Sequence, residues 1–212
     1  MAKSTTKPKG ATSYKETALG IISRSKLLRL ELEGTKKGLE YLHDLVKKQK
    51  SVVITPELIC ALHGIAFGWI FPRWAGKYRK IQVTFSGKEA APYYRLPELV
   101  IDLCRDLEER LRQLSDPTRE EFIVEVTRLL SWFQHRLVFI HPFQDYNGRI
   151  ARMITILILL NLNLPPFEIK GGTKTDRERY IIAMQNADAG DFSELESLIH
   201  QALREALERF HV

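Results

Sequence analysis

The sequence predicts an all-α fold, a helical bundle with one small β-hairpin, from two features of its apolar pattern. Segments in which apolar residues recur every three or four positions follow one another along most of the chain. One stretch alone, residues 81–86 (IQVTFS), alternates apolar with polar residues, which is the period of two that is typical of a strand. Helices are therefore expected to build the fold, with the hairpin as an addition.

The first part of the chain predicts a tail followed by a helix. Residues 1–14 are rich in Lys, Ser, Thr, Pro and Gly, a composition typical of a disordered segment. From Thr17 we expect an amphipathic helix that pauses near Gly34, and a second helical pattern ends at the basic sequence KKQK, 47–50.

The rest of the chain predicts six more helices. Thr55 and Pro56 mark the start of a mostly apolar one, because Thr caps helix N-termini and Pro suits the first turn. Further helical patterns cover 96–114, 116–140 and 151–164, and two last helices begin near Asp176 and Ser193. The pattern at 151–164 is apolar nearly all round, which predicts a buried central helix.

Composition excludes several classes of protein. Lys and Arg exceed Asp and Glu by 32 to 26, but three of these cations lie in the first ten residues, so the basic charge argues only weakly for a nucleic-acid partner. The longest apolar run, 153–160, is too short to span a bilayer. The N-terminus has no apolar segment typical of a secretory signal. Cys60 and Cys104 lie in apolar helical patterns, which predicts reduced thiols and a cytoplasmic protein.

The sequence HPFQDYNGRIAR, 141–152, combines features of a phosphate site. Asn147 and Gly148 lie where a long helix is expected to begin, and the unpaired amides and positive dipole of a helix N-terminus bind phosphate oxygens. Arg149 and Arg152 are three residues apart on neighbouring parts of one helical face, and guanidinium groups bind phosphate in a bidentate manner.

Two further side chains of this stretch suit nucleotide chemistry. Asp145 offers the oxygen ligand that Mg²⁺ shares with nucleotide phosphates, and His141 titrates near neutrality and could take a proton from an attacking hydroxyl. The alternatives are an ordinary turn with solvated arginines, or a metal site made from His135, His141 and Asp145. Together the residues favour a transferase that acts on a nucleotide.

At these residues the sequence resembles the Fic family, whose signature is H-P-F-x-[D/E]-G-N-G-R-x-x-R. Eight of its nine specified positions are present, and Tyr146 stands where the family has Gly. The sequences at 75–87 and 179–195 are similar to the family's flap segment and closing helix. The resemblance covers about 55–195, and it implies a single domain, 15–212, with a regulatory helix at about 17–34.

The resemblance implies a protein adenylyltransferase that moves AMP from ATP to a Ser, Thr or Tyr hydroxyl of a target protein. His141 would be the general base, Asp145 would hold Mg²⁺, and the residues that bind the nucleotide would be Asn147, Gly148, Arg149, Arg152 and Tyr180. The flap that clamps the target would comprise Ile81, Gln82, Val83 and Thr84. A homodimer is compatible with this resemblance, whereas neither a membrane nor a nucleic acid is expected as a partner.

Many members of the family carry an inhibitory helix with the pattern [S/T]-x-x-x-E-[G/N]. The sequence RLELEGT, 29–35, offers Glu33 in the matching place, although Arg29 stands where Ser or Thr is expected. We expect Glu33 to pair with Arg152 and to hinder productive seating of the nucleotide. Removal of AMP from a target is a further option if Glu33 orients water.

Tyr146 leaves three interpretations open. The loop keeps its shape with the ring towards solvent or target, or the ring narrows the pocket, or the ring excludes ATP and leaves a binding module. We favour the first, because every group with a direct chemical role is retained. Phosphate transfer, as in the Doc branch, is less favoured because that branch has Lys where this chain has Gly148.

Overall fold

Seven α-helices and two short antiparallel hairpins form the residues that this computed structural model describes, 14–167 and 174–210. The helices are α1 (Arg24–Lys48), α2 (Pro56–Phe67), α3 (Leu96–Arg112), α4 (Glu121–Ile140), α5 (Asn147–Asn161), α6 (Lys174–Asp188) and α7 (Ser193–Phe210). The strands are β1 (Tyr14–Thr17) paired with β2 (Gly20–Ser23), and β3 (Thr84–Phe85) paired with β4 (Lys88–Glu89). The predicted helical fold is confirmed. The predicted basic tail lies, up to residue 13, outside the described residues.

Helix α5 is the central element of the bundle. It packs against α1, α2 and α4, and its Ile150, Ile154, Leu157 and Ile158 are fully buried. A helix covered by neighbours on all sides has no face for polar residues, so its sequence is apolar nearly all round, as predicted. Because α5 begins at Asn147, the core fixes the position of the motif.

The N-terminal part of the described chain differs from the prediction. Residues 17–23, expected to be helical, form the last residue of β1, the turn and the second strand of the β1–β2 hairpin. Gly20 lies at φ +86°, a turn conformation that suits glycine, and the strand alternation leaves Ile21 exposed and Ile22 buried. Helix α1 begins only after Ser23, whose side chain caps it.

The pause predicted near Gly34 is wrong, because α1 continues through this residue to Lys48. A Cβ atom at Gly34 would lie 2.2 Å from the backbone oxygen of Ala66 on α2. Glycine is therefore required by the close approach of the two helices rather than by a helix end. The buried face of α1 consists of Leu27, Glu31, Gly34, Gly38 and Leu42.

The predicted strand at 81–86 is shorter in the structure, with Thr84 and Phe85 alone in the β3–β4 ladder. Before it, the Ala90 N–H donates to the Val83 carbonyl at 3.0 Å, so the chain already runs beside its returning arm. Ser86 and Gly87, both at positive φ, close the turn early and limit the ladder. We call residues 81–90 the flap.

The thiols agree with their predicted surroundings. Cys104 is buried and Cys60 half-buried, both are free, and burial raises the pKa of each thiol. Among the described residues, no helix combines the length and the apolar composition that a membrane crossing requires.

Candidate active site

The motif loop, residues 141–146, joins α4 to α5 and passes twice through left-handed backbone. His141 ends α4 at φ +54°, and Tyr146 precedes α5 at φ +64°. The Asn147 side chain braces the loop, since its Oδ1 accepts the Phe143 N–H and its Nδ2 donates to the Phe143 carbonyl, both at 2.9 Å. Both polar atoms of the Asn147 side chain are thus bonded within the loop. The backbone N–H is therefore the group of this residue that could bind an anion.

The N-terminus of α5 has the features of an anion site. The N–H groups of Arg149 and Ile150 donate to the Tyr146 carbonyl, whereas those of Asn147 and Gly148 meet no acceptor within the described part of the chain. A Cβ atom on Gly148 would have the Arg152 Nη1 atom, at 3.6 Å, as its nearest neighbour. The protein therefore leaves space beside two unpaired amides at the positive end of a helix.

The hydrogen bond of His141 determines which of its ring nitrogens can act as a base. Its Nδ1 lies 3.1 Å from the Val138 carbonyl, which can only accept, so we assign the proton to Nδ1. In the neutral ring the lone pair then lies on Nε2. Burial lowers the pKa of His141, which favours this neutral form at neutral pH. The ring of Phe85 stacks on the imidazole at 4.2 Å.

Arg79, buried to 4% exposure, ties the motif loop to the flap. Its Nε donates to the His141 carbonyl at 2.8 Å and its backbone N–H to the Pro142 carbonyl at 3.0 Å. The same guanidinium donates to the carbonyls of Ile81, the first residue of the flap, and Ala91, the residue directly after it. One side chain therefore sets the flap relative to the predicted base.

His63, fully buried on α2, supports the loop from behind. Its Nδ1 accepts the Gly76 N–H at 2.9 Å, which leaves the proton on Nε2, and Nε2 donates to the Asp145 carbonyl at 3.1 Å. Its ring stacks on Phe143 at 4.0 Å. Burial lowers the pKa of His63 to about 4, so the ring is neutral and holds two backbone segments together.

Tyr146 keeps the left-handed conformation that the motif requires, but its ring does not point to solvent or target as predicted. The side chain is 8% exposed and stacks on Phe67 at 4.1 Å, with Phe71 and Trp74 nearby. A large aromatic ring beside an apolar cluster gains more from burial than from solvent exposure. Burial and the adjacent Glu31 carboxylate raise the pKa of Tyr146, so its hydroxyl remains a donor.

Glu31 is the carboxylate that meets the motif from α1. It is fully buried and accepts from the Tyr146 hydroxyl at 2.9 Å, from Arg149 Nη2 at 2.7 Å and from Arg24 Nη1 at 2.8 Å. The structure therefore turns Arg149, predicted to grip phosphate, towards α1. Arg152 lies on the other side, with its guanidinium 6.0 Å from the Tyr180 ring.

Glu33, predicted to pair with Arg152, lies elsewhere. Its carboxylate is 3.1 Å from Lys37 Nζ and its side chain is half exposed, and no ion pair joins Glu33 to Arg152 within the described residues. The reason is helical periodicity, because the face of α1 that is buried carries Glu31 and Gly34, and Glu33 lies off that face. The predicted pairing is wrong in this structure.

A cavity of about 110 Å³ lies between the flap, α4, the start of α5 and α6. Its walls include Phe85, Lys88, Gly148 and Tyr180. Tyr180 also donates to the Gln134 side chain at 3.0 Å, so it combines a packing contact with a place in the cavity wall. The cavity opens beside the unpaired amides of α5.

The flap is also attached to the far wall of this cavity. Lys88 on β4 forms an ion pair with Asp188, whose Oδ1 lies 2.9 Å from His135 Nε2. This contact removes the alternative of a metal site built from His135, His141 and Asp145, because His135 faces α6. Across the described residues, no cluster of three or more His, Cys, Asp or Glu side chains is arranged to hold a metal ion.

The structure thus places Gly148 and Tyr180 in the wall of one cavity, with Arg152 close to both of them and His141 stacked on Phe85 of the same wall. The sequence did not reveal the supporting roles of Glu31, His63, Arg79, Phe85 and Lys88. Glu31 carried a detectable signal, since a carboxylate on the apolar stripe of an amphipathic helix requires buried cations as partners. His63 carried a weaker signal, as a polar residue within a mostly apolar helix. The roles of Arg79, Phe85 and Lys88 depend on contacts that form only when the flap folds against the motif loop and α6.

The chain matches the model of the Fic/DOC family over residues 53–159. It is 31% identical over 178 residues to the protein adenylyltransferase Fic of Nematostella vectensis, a match that covers 83% of this chain and 38% of that protein. A second protein of the same name, from Culex quinquefasciatus, is 25% identical, with 84% and 33% covered. The chain therefore spans about a third of the length of these relatives.

Solved structures share the fold at lower identity. Fic-1 from C. elegans superposes with a TM-score of 0.65 at 23% identity, over 85% of this chain and 50% of that one. The BepC protein from Bartonella tribocorum, solved with bound AMPPNP, has a TM-score of 0.64 at 19% identity, over 91% and 93%. At these identities the similarity shows the fold alone.

Proposed function

This chain belongs to the Fic/DOC family, and from that premise we propose that it is a protein adenylyltransferase, which transfers AMP from ATP to a Ser, Thr or Tyr hydroxyl of a target protein. The observation that supports this most is the pairing of a neutral histidine base with an anion site. His141 presents Nε2 as its proton acceptor, and the adjoining helix N-terminus carries the backbone amides of Asn147 and Gly148, which meet no acceptor in the described parts of the chain. The two relatives from Nematostella vectensis and Culex quinquefasciatus are named for the same activity.

The residues support a single displacement at the α-phosphorus of ATP. The target hydroxyl oxygen would attack phosphorus, pyrophosphate would leave, and His141 Nε2 would take the hydroxyl proton. The α5 amides and Arg152 would stabilise the negative charge on the phosphates. The flap, with its exposed edge beside His141, would hold the target segment by strand addition.

Asp145 suits the Mg²⁺ that usually accompanies ATP. Its Oδ1 accepts the Tyr146 N–H at 2.8 Å and its carbonyl accepts from His63, so the carboxylate is fixed within the motif loop. Mg²⁺ is commonly bound by one or two carboxylates together with substrate phosphates, so a single protein carboxylate fits a metal that arrives with the nucleotide. When bound, this ion would neutralise charge on the leaving pyrophosphate.

Labelled ATP tests the proposed reaction. The protein and a mixture of candidate targets would be incubated with Mg²⁺ and ATP labelled at the α-phosphate, with intact-mass analysis of the protein itself. We expect labelled protein and an AMP mass increment, both abolished by His141→Ala. Label from ATP marked at the γ-phosphate would instead indicate phosphate transfer, and incorporation that survives His141→Ala would contradict the proposal.

Inhibition by Glu33 stays a prediction. Its half-exposed carboxylate pairs with Lys37, so an inhibitory contact with Arg152 would require another side-chain conformation. Glu33→Gly would then raise AMP transfer, and an unchanged rate would exclude this role.

A further inference from the structure

A buried ionic group joins α1 to the motif at the residue that departs from the family signature. Glu31 is fully buried and accepts hydrogen bonds from Tyr146, Arg149 and Arg24. A buried carboxylate is stable only when its oxygens are paired, and here two of the three donors come from the first turn and the cap of α5. The contact therefore couples α1 to the end of α5 that carries the unpaired amides.

The tyrosine ring makes this coupling rigid. It stacks on Phe67, lies 5.5 Å from the Arg149 guanidinium carbon, and presents its hydroxyl to Glu31. A glycine at this position would supply the left-handed turn but neither the stacking nor the hydroxyl. Tyr146 thus adds a contact that the family signature does not contain.

The two arginines of the motif differ in whether they contact the buried Glu31 carboxylate. Arg149 bonds to Glu31 through Nη2, and its Nη1 is buried with no partner among the described residues. Arg152, one helical turn later, lies near Tyr180 and beside the space at Gly148. The first arginine faces the core, and the second lies close to two residues that line the cavity.

We propose that Tyr146 and Glu31 are positioning residues, which clamp Arg149 and so align the anion-binding end of α5. This inference rests on the proposed function. The clamp acts on alignment, so it is expected to stabilise the transition state more than the bound nucleotide.

The test is a double-mutant cycle with Tyr146→Phe, which removes only the hydroxyl, and Glu31→Gln, which removes only the charge. We expect each variant to lower kcat for AMP transfer about tenfold, the effect of one hydrogen bond to a charged group, with KM for ATP within about twofold. The double variant should be no slower than Glu31→Gln alone, because both changes break one contact. Glu40→Gln, on the same helix but exposed, should leave kcat unchanged.

Other outcomes overturn the clamp. A rise in kcat would make Glu31 an inhibitory contact, and effects that multiply in the double variant would mean independent roles. If Glu31→Gln does not fold, Tyr146→Phe retains the ring stacking and gives the kinetic comparison by itself.

Thermal unfolding of the same four proteins tests the contact without AMP transfer. If the two residues are coupled, the Tm of the double variant should fall by less than the sum of the decreases in Tm of the two single variants. If the wild type transfers no AMP but its unfolding shows the coupling, the proposed function is contradicted while the contact between Tyr146 and Glu31 is supported.

Discussion

The two faces of the motif loop are built differently. The face towards α1 and α2 is closed, with the Tyr146 ring in an aromatic cluster and Glu31 bonded to three donors. The face towards the flap is open, with Gly148 and Tyr180 beside a cavity and two helix amides without a protein acceptor among the described residues. The comparison shows that residues of one short motif serve both the support of the site and its chemistry.

The largest expected effect lies on the closed face, at Gly34. The Gly34→Ala Cβ would come 2.2 Å from the Ala66 carbonyl, so α1 must move from α2 and carry Glu31 with it. We expect a loss of roughly 3 kcal/mol in the free energy of unfolding, measured with urea. The neighbouring exposed position gives the control, since Glu33→Ala should change little. Equal stability of the two variants would mean that the helices are not in tight contact.

Next is the pH dependence that His63 confers on the closed face. Its pKa is lowered by burial from 6.5 to about 4, so the unfolded chain binds a proton that the folded protein does not bind between these values. The contribution of His63 to the free energy of unfolding is therefore fully present above pH 6.5 and is lost as the pH falls towards 4. Between pH 7 and pH 5 we expect the free energy of unfolding to fall by roughly 2 kcal/mol.

The measurement is urea unfolding of the wild type and His63→Gln at both pH values. The variant should lose most of this difference, whereas His43→Gln, at an exposed position on α1, should keep it. A wild type that is equally stable at pH 7 and pH 5 would show that His63 is not neutral in the fold.

On the open face, the arginine nearer the cavity should determine nucleotide affinity. Arg152→Ala removes a cation that forms no ion pair with a carboxylate among the described residues, so we expect about tenfold weaker ATP binding by calorimetry with little loss of stability. Arg128→Ala, at an exposed position on α4, is the matched control. If Arg152→Ala binds ATP as tightly as the wild type does, Arg152 does not bind the nucleotide, and the assignment of nucleotide binding to the open face is wrong.

The smallest effect is expected at the edge of the open face. Lys88→Ala removes the ion pair with Asp188 and frees the flap, which Arg79 still holds at its base. We expect about a threefold fall in AMP transfer, the effect of one partly exposed ion pair, while Lys80→Ala should have no effect. A fall as large as that of His141→Ala would mean that the flap, and not only the base, is essential.

Much of the closed face lay beyond sequence reasoning, and the errors there share a cause. The helix expected at 17–34 begins only at Arg24, and the pattern of the inhibitory helix indicates Glu33, whereas the carboxylate that enters the core is Glu31. Which of two nearby carboxylates enters the core depends on the rotation of α1 about its axis. That rotation is set by the contact of Gly34 with α2, which joins residues far apart in the chain.

The sequence by itself determined the helical fold, the buried central helix and the residue types at the start of α5, because periodicity and a short contiguous motif are local properties. Only the tertiary structure decided where those side chains point. It turned Arg149 and Tyr146 to a carboxylate more than a hundred positions earlier, and it placed His63 and Arg79 behind and beside the loop. Such contacts depend on helix packing between distant segments, which leaves no spacing in the sequence from which to predict them.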